Sequence, residues 1–254
     1  MHIAVVLRLG PDLTEELEIN EDQTDIDREW VGIKLNELDD QALEEAVLLK
    51  EAHGAKLTAI GLAGEGVERQ LQTAVARGAD DAVAIEHDGG NVDSRTAAHL
   101  LSAAIREMGV DLILTGVQAS DDVFGQLAPF LGGLLDWRTL NGVSWVSVAG
   151  DGLEVTQEYS GGYASTFSVK LPAILGIQAA SQPPRYVSGS KLRQATSFAV
   201  RKSHGDLPAG FTSPAISNLR VPDRDHQAEM IGGDAKAVVA KLLKVLGERG
   251  ILGG

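Results

Sequence analysis

Short apolar runs alternate along the chain with stretches whose apolar positions recur every three to four residues. The runs at 3–7, 57–62, 81–85 and 111–115 are rich in Val, Ile, Leu and Ala and are bounded by Gly or acidic residues. This is the pattern of strands buried on both faces. Between them, the spacing predicts helices over 40–52, 65–77, 93–108 and 123–135. Their apolar stripes include Leu43, Ala46 and Val47, then Leu71 and Ala74, then Leu101 and Ile105, then Leu127 and Leu131. Such alternation builds βαβ units and hence a parallel sheet.

Two regions depart from it. Segments 14–19 and 25–33 flank the polar 20–24 and read as a hairpin inserted after the first strand. Segments 143–148, 153–159 and 164–169 read as an antiparallel meander, turned at Asp151-Gly152 and Gly161-Gly162, and 171–177 returns as a buried strand. The expected fold class is therefore α/β, a mostly parallel sheet flanked by helices, with a meander. After Gln182-Pro183-Pro184 the chain becomes rich in Ser, Pro, Gly and Arg and loses its period until a final amphipathic helix at 234–246. Residues 1–182 are expected to form the α/β domain. Residues 183–254 would form an extended C-terminal arm, either ordered against another chain or packed on its own domain.

Composition narrows the chemistry. The 254 residues contain no Cys, which removes disulfides, thiolate nucleophiles and thiolate metal sites. With 22 Lys and Arg against 36 Asp and Glu the formal charge is −14, unsuited to nucleic acid or to anionic membranes. Aromatics are scarce at 4%, so the core must be aliphatic. The opening apolar run is too short for an export signal or a membrane span, and the expected location is the cytoplasm. No GxxxxGK[ST], GxGxxG, GxSxG or HExxH motif occurs, and the six His lie without metal-ligand spacing. A hydrolase lacks a visible nucleophile–base pair.

The loops that follow the strands carry the chemistry that remains. Open α/β sheets bind ligands beyond the carboxyl ends of their strands. In Leu35-Asn36-Glu37-Leu38-Asp39-Asp40, Asn36 is placed to cap a helix or bond a ligand, and Asp39 to cap the helix that follows. Gly61-Leu62-Ala63-Gly64-Glu65-Gly66 offers either free backbone amides or a plain tight turn. The loop from Thr115 to Pro129 carries Gln118, Asp121 and Gln126, polar side chains with no packing role, and reads as a binding loop.

At this third loop the sequence resembles the small (beta) subunit of electron transfer flavoproteins. Gly116, Gln118, Ala119, Asp121, Asp122 and Gln126 match that family's Gly-Lys-Gln-Ala-Ile-Asp-Asp-Asp-x-Asn-Gln-Thr-Gly stretch, and Trp137 falls where its next helix ends. Asn36 with 39–46, residues 73–80, Gly161-Gly162, 170–173 and Pro184-Arg185-Tyr186 supply further landmarks in order. The resemblance implies an adenine-nucleotide-binding, Rossmann-like domain and an arm embracing a larger alpha subunit. It implies an electron carrier rather than an enzyme. FAD would be held mostly by the alpha subunit, and AMP or a second FAD would sit in this subunit. The nucleotide would contact Val6, Asn36, Glu37, Leu38, Asp39, Leu62, Gly116, Val117, Gln118, Ala119, Asp121, Asp122, Gly125, Gln126 and Leu127.

Two departures from the family pattern matter. Gly125-Gln126-Leu127-Ala128 replaces Asn-Gln-Thr-Gly, so the Asn and Thr donors are gone. Backbone amides at the helix N-terminus remain to cradle a phosphate. Pro129 after a small residue is closer to the Ala-Gln-Val-Gly-Pro form of flavin-bifurcating members, which leaves AMP, a second FAD and an empty site all open. In the arm, Tyr186-Val187-Ser188-Gly189-Ser190-Lys191-Leu192-Arg193 replaces the family's partner-recognition loop, and Gly189 stands where a protruding Leu docks dehydrogenases. The resemblance thus implies an atypical redox partner. The alternative function is a nucleotide-binding regulatory module of the adenine-nucleotide α-hydrolase-like type, without electron transfer.

Overall fold

The computed structural model describes residues 1–88, 92–120, 122, 124–222, 228 and 230–251. It divides into two units, Met1–Ser217 and Asn218–Gly254. The first unit is built on one sheet. In chain order its elements begin with strands β1 (His2–Val6), β2 (Leu9–Pro11) and β3 (Ile33–Leu35), then helix α1 (Glu37–His53), β4 (Lys56–Leu62) and α2 (Val67–Arg77). They continue with β5 (Asp81–Glu86), α3 (Ser94–Met108), β6 (Leu112–Gly116) and α4 (Leu127–Leu135). Strands β7 (Arg138–Ala149), β8 (Gly152–Tyr159), β9 (Tyr163–Lys170) and β10 (Ala173–Ile177) follow, then α5 (Gly189–Ala195) and β11 (Arg201–His204).

The strand order is β11-β5-β4-β1-β6-β10-β7-β8-β9. From β11 to β7 every neighbouring pair is parallel, and β8 and β9 continue antiparallel as the expected meander. Alternation along each strand feeds two cores. Ile3 and Val5 of β1 point to the face covered by Leu43 and Val47 of α1 and Leu71 of α2. Ala4 and Val6 point to the other face, under Leu101 and Ile105 of α3 and Leu131 of α4. That is why the buried strands read as unbroken apolar runs. Gly161 and Gly162, with φ of 81° and 78°, make the tight turn between β8 and β9 that two consecutive left-handed residues allow.

The structure revises several boundaries. In the expected insertion, the ladder forms at its base, where β2 pairs antiparallel with β3, and only the bridge Ile19–Ile26 joins the predicted arms. Residues 15–29 are too acidic and too poor in apolar alternation to support longer strands. Helix α4 starts at Leu127 rather than 123, because Gly125 is left-handed (φ 60°). Strand β7 starts at Arg138 rather than 143, because it first lies beside β10 and only then turns into the meander. Within the segment expected to be irregular, α5 forms behind an N-capping Ser188, and β11 joins the sheet beside β5. Arg201 and Lys202 of β11 pair with Asp81 and Glu86 of β5.

The chain between the sheet and α5 is tied down by charge. Glu44 of α1, 2% exposed, accepts from Arg77 at 3.2 Å and from Arg185 Nε at 2.8 Å, while Arg185 also reaches Glu51 at 2.6 Å. Neighbouring Glu45 accepts the Ser181 amide at 2.7 Å and hydroxyl at 3.0 Å. In the second unit, helix α6 (Ala235–Glu248) is capped by Asp234, whose carboxylate accepts the Ala237 amide at 2.8 Å. It buries none of its residues and leaves Val239, Leu242 and Leu243 exposed. Among the described residues no helix is long and apolar enough to cross a membrane.

Removing Glu44 strips a buried carboxylate from two guanidiniums, whereas Glu51 is an exposed partner. Glu44→Ala is expected to lower unfolding free energy by about 3 kcal/mol, near the low end for broken buried pairs because Asp40 and Glu51 remain. Glu51→Ala should cost less than about 1 kcal/mol. Urea denaturation of the two variants measures the contrast.

Candidate functional site

The sheet reverses its winding direction at β1. Strands β4 and β5 are laid down on one side of it, and the chain then crosses to place β6 on the other. The carboxyl ends of β1 and β6 therefore part, and the loops leaving them open a crevice. Asp39, in the first turn of α1, is fully buried at this point. One of its oxygens accepts the Gly116 amide at the end of β6 (2.6 Å), and the other accepts the Arg8 amide beyond β1 (3.0 Å). Burial pushes the Asp39 carboxyl up, against the pull of the Arg8 guanidinium and of these two amides. Asp39 thus spans the reversal point rather than capping α1. Asn36 makes no side-chain cap either, and its amide donates to the Gln118 carbonyl at 2.8 Å.

The same loop is held from its other end. Asp122 lies 3.4 Å from Arg8 Nη1, accepts the Ser94 hydroxyl and accepts the Gln126 amide at 3.0 Å. The Gly125 amide donates to the Asp122 carbonyl at 3.1 Å. Of the amides leading into α4, those of Gly125 and Gln126 are thus engaged by Asp122 itself. Asn141 of β7 donates to the carbonyls of Val117 (3.3 Å) and Gly125 (3.1 Å). Two glycines are required here. A Cβ at Gly116 would lie 2.6 Å from the Asp39 carboxylate, and one at Gly125, already left-handed, 2.3 Å from the Val117 carbonyl.

Two of the cavities among the described residues adjoin this loop. The larger, about 410 Å³, lies over the carboxyl ends of β1, β4 and β5, with Arg8, Leu62, Gly64, Asp93, Ser94 and Asp122 on its wall. The smaller, about 210 Å³, lies under the β2–β3 ladder and is lined by Asn36, Glu37, Leu38, Gln118 and Ala119. The residues proposed from sequence are thus divided between two hollows. Leu62 and Asp122 face the larger, and the Asn36–Leu38 and Gln118–Ala119 pieces face the smaller. Gly116, Val117, Gly125 and Gln126 hold the loop by backbone contacts. Val6 and Leu127, each 1% exposed, are core residues. Asp121 lies outside the described residues.

Sequence reasoning passed over Arg8, Ser94 and Asn141. Arg8 carried a signal, a cation closing an apolar strand. Ser94 and Asn141 carried none, since their role depends on which strands become neighbours.

The family model for the electron transfer flavoprotein domain matches residues 24–203. The chain belongs to the electron transfer flavoprotein family. Three of its relatives, all beta subunits, align over nearly the whole length. The electron transfer flavoprotein subunit beta of Bacillus subtilis is 32% identical, over 97% of both chains. The subunit beta of Methylophilus methylotrophus is 27% identical over 98% of both. The human subunit beta is 28% identical over 96% of this chain and 98% of its own. The matched stretch in this electron transfer flavoprotein chain includes Asp39, Asp122 and Asn141, so the tied loop lies inside the family domain.

Two outcomes follow from the geometry. Gly116→Ala should force Asp39 away from β6 and lower stability by about 1–3 kcal/mol, read by chemical denaturation. Asp93 caps α3 through the Thr96 amide (2.7 Å) and accepts the Ser213 hydroxyl (2.6 Å). Burial raises its carboxyl, but these bonds outweigh it and hold the group below the usual range. A carboxyl depressed in the folded state stabilises above its unfolded value, and that stability is lost as pH falls through the folded value. Asp93→Asn keeps a capping side chain but not the charge, so it should lower the neutral plateau of melting temperature against pH and flatten the acid limb below about pH 4.

Proposed function

We propose that this chain is the beta subunit of a heterodimeric electron transfer flavoprotein. With its alpha subunit it carries electrons between a flavin-dependent dehydrogenase and an acceptor. The flavin of an FAD held mainly by the alpha subunit would supply the redox chemistry. This chain's part is to shape the assembly and to hold an adenine-containing ligand, AMP or the adenine end of a second FAD.

The observation that supports the ligand is the larger cavity, which lies beyond the carboxyl ends of β1, β4 and β5, the side on which open α/β sheets bind ligands. Leu7, Leu62, Val67 and Val92 give it apolar walls for a base, and Ser94 and Asp93 give it partners for sugar hydroxyls. At about 410 Å³ it lies toward the small end of ligand pockets, so it suits one nucleoside unit rather than a whole dinucleotide.

Residues 183–254 are proposed as the arm that docks on the alpha subunit, and the exposed apolar stripe of α6 supports this. The redox partner is proposed to be atypical. Gly189, which stands where the family's recognition loop presents its Leu, opens α5 behind the capping Ser188, and nearby Tyr186 is 92% exposed.

Co-expression with an alpha subunit of the same family, followed by denaturing extraction and mass analysis, tests the reading. The expected result is a yellow complex that releases FAD. A colourless chain that ignores that subunit but shifts its melting temperature with adenine nucleotides would instead support the regulatory-module alternative. Recovery of an acyl-CoA dehydrogenase by the complex, indifferent to changes at Ser188–Leu192, would contradict the atypical partner.

A further inference from the structure

The large sheet ends differently at its two margins. At one stands β11, only four residues long, with Arg201, Lys202 and His204 along it. Shortness and cationic side chains are the usual means of keeping a free edge from pairing. The other margin, β9, has neither. Its eight residues, Tyr163-Ala164-Ser165-Thr166-Phe167-Ser168-Val169-Lys170, include no Pro and a single charge, at the last position. The β8–β9 ladder runs from Gly152–Lys170 to Tyr159–Tyr163 without a register shift, so no bulge twists the edge away. Every side chain of β9 except Val169 is exposed, Tyr163 by 74% and Phe167 by 37%.

Such an edge presents its outward amides and carbonyls to an added strand. The sequence of β9 fits a second copy of itself. In an antiparallel pair with a two-fold axis at Phe167, the two Phe167 rings stand opposite one another, on the face that carries Val155 of β8. Val169 then meets Ser165 of the second copy, Ser168 meets Thr166, and Lys170 meets Ala164. Within one chain Ala164 is paired with Glu158 of β8. Lys170 of one copy and Glu158 of the other therefore flank a single methyl group on one face. Their Cα atoms are two strand spacings apart, about 10 Å, a gap that the two side chains span. The symmetry makes this contact twice, and neither group has an ion-pair partner among the described residues. Glu154, the other carboxylate on that face of β8, lies beside Ser168 and then Thr166 of the second copy, so no like charges oppose. An axis at Thr166 would instead set Lys170 against Gly162 and leave both charges unpaired.

We propose that β9 pairs antiparallel with β9 of a second copy, joining two sheets into one across an axis at Phe167. The pairing adds a contact between two such chains to the heterodimer above, and it does not depend on the ligand reading. Both sides of the contact are read from this chain's own residues, which favours a second copy over an unrelated strand. Because the contact is isologous it uses up both free edges, and the cationic margin at β11 does not prolong it, so association stops at two.

Analytical ultracentrifugation of the full chain, alone and in complex with an alpha subunit, tests it at about 0.15 M salt, which screens the repulsion between two acidic chains. The expected result in both is reversible association into a species with two copies of this chain. Its dissociation constant should be on the order of 10–100 μM, the weak range suited to a single strand pair. Phe167→Lys, which sets two cations face to face, should abolish the dimer. Lys170→Glu should weaken it about tenfold, since two attractive contacts become repulsive, and Lys170→Glu combined with Glu158→Lys should restore it. Lys170 and Glu158 are exposed, so these variants serve if Phe167→Lys does not fold. A chain that is monomeric at about 1 mM, or a dimer that none of these changes weakens, would overturn the proposal. So would a complex with one copy of each subunit in which the β9 amides are protected from hydrogen exchange, because the alpha subunit would then hold the edge.

Discussion

A single buried carboxylate holds the two halves of the sheet in register at the point where they diverge. Asp39 belongs to the helix packed across β1 and β6, and it takes one amide from the end of each. Without that bridge the two loops would have unsatisfied amides in a water-poor crevice, a cost comparable to the hydrogen bonds themselves. Arg8 then has a partner on its inner side, and Asp122 can take the outer side. The order of dependence runs inward to outward. Asp39 sets Arg8, Arg8 sets Asp122, and Asp122 sets the start of α4.

Much of this architecture is legible in the residues. The four apolar runs became β1, β4, β5 and β6 because a strand buried on both faces leaves no room for polar side chains. The Gly-Gly turn and the capping Asp93 are local chemistry, readable without knowing the fold. What escaped depends on distance in space. Arg201–His204 looks like solvated surface, and it becomes a strand by pairing with β5, whose Asp81 and Glu86 meet its cations. Asp39 reads as a helix cap because sequence shows its helix and not the strand ends beneath it. Asn141 looks like a polar break in a strand until β7 lies against the loop whose carbonyls it ties.

The division of the sequence-derived site into two hollows has the same origin. A family motif marks residues that act together, but it does not separate those that line a space from those that hold its walls. Val6 and Leu127 do their work from inside the aliphatic core, and Gly116 and Gly125 do theirs by lacking a side chain. The chemistry is left to few groups.

Strand β11 has a temporal consequence. It is made late, well after the strand it covers, yet it forms the outer edge beside β5. During synthesis the backbone of β5 therefore emerges from the ribosome long before its outer neighbour does, and the amides and carbonyls on its outer edge have no strand to pair with through the making of the whole meander. Acidic Asp81 and Glu86 flank that open margin in the interval, and charge of this kind discourages a second nascent chain from adding to it. The two residues that finally recruit β11 thus first serve as guards.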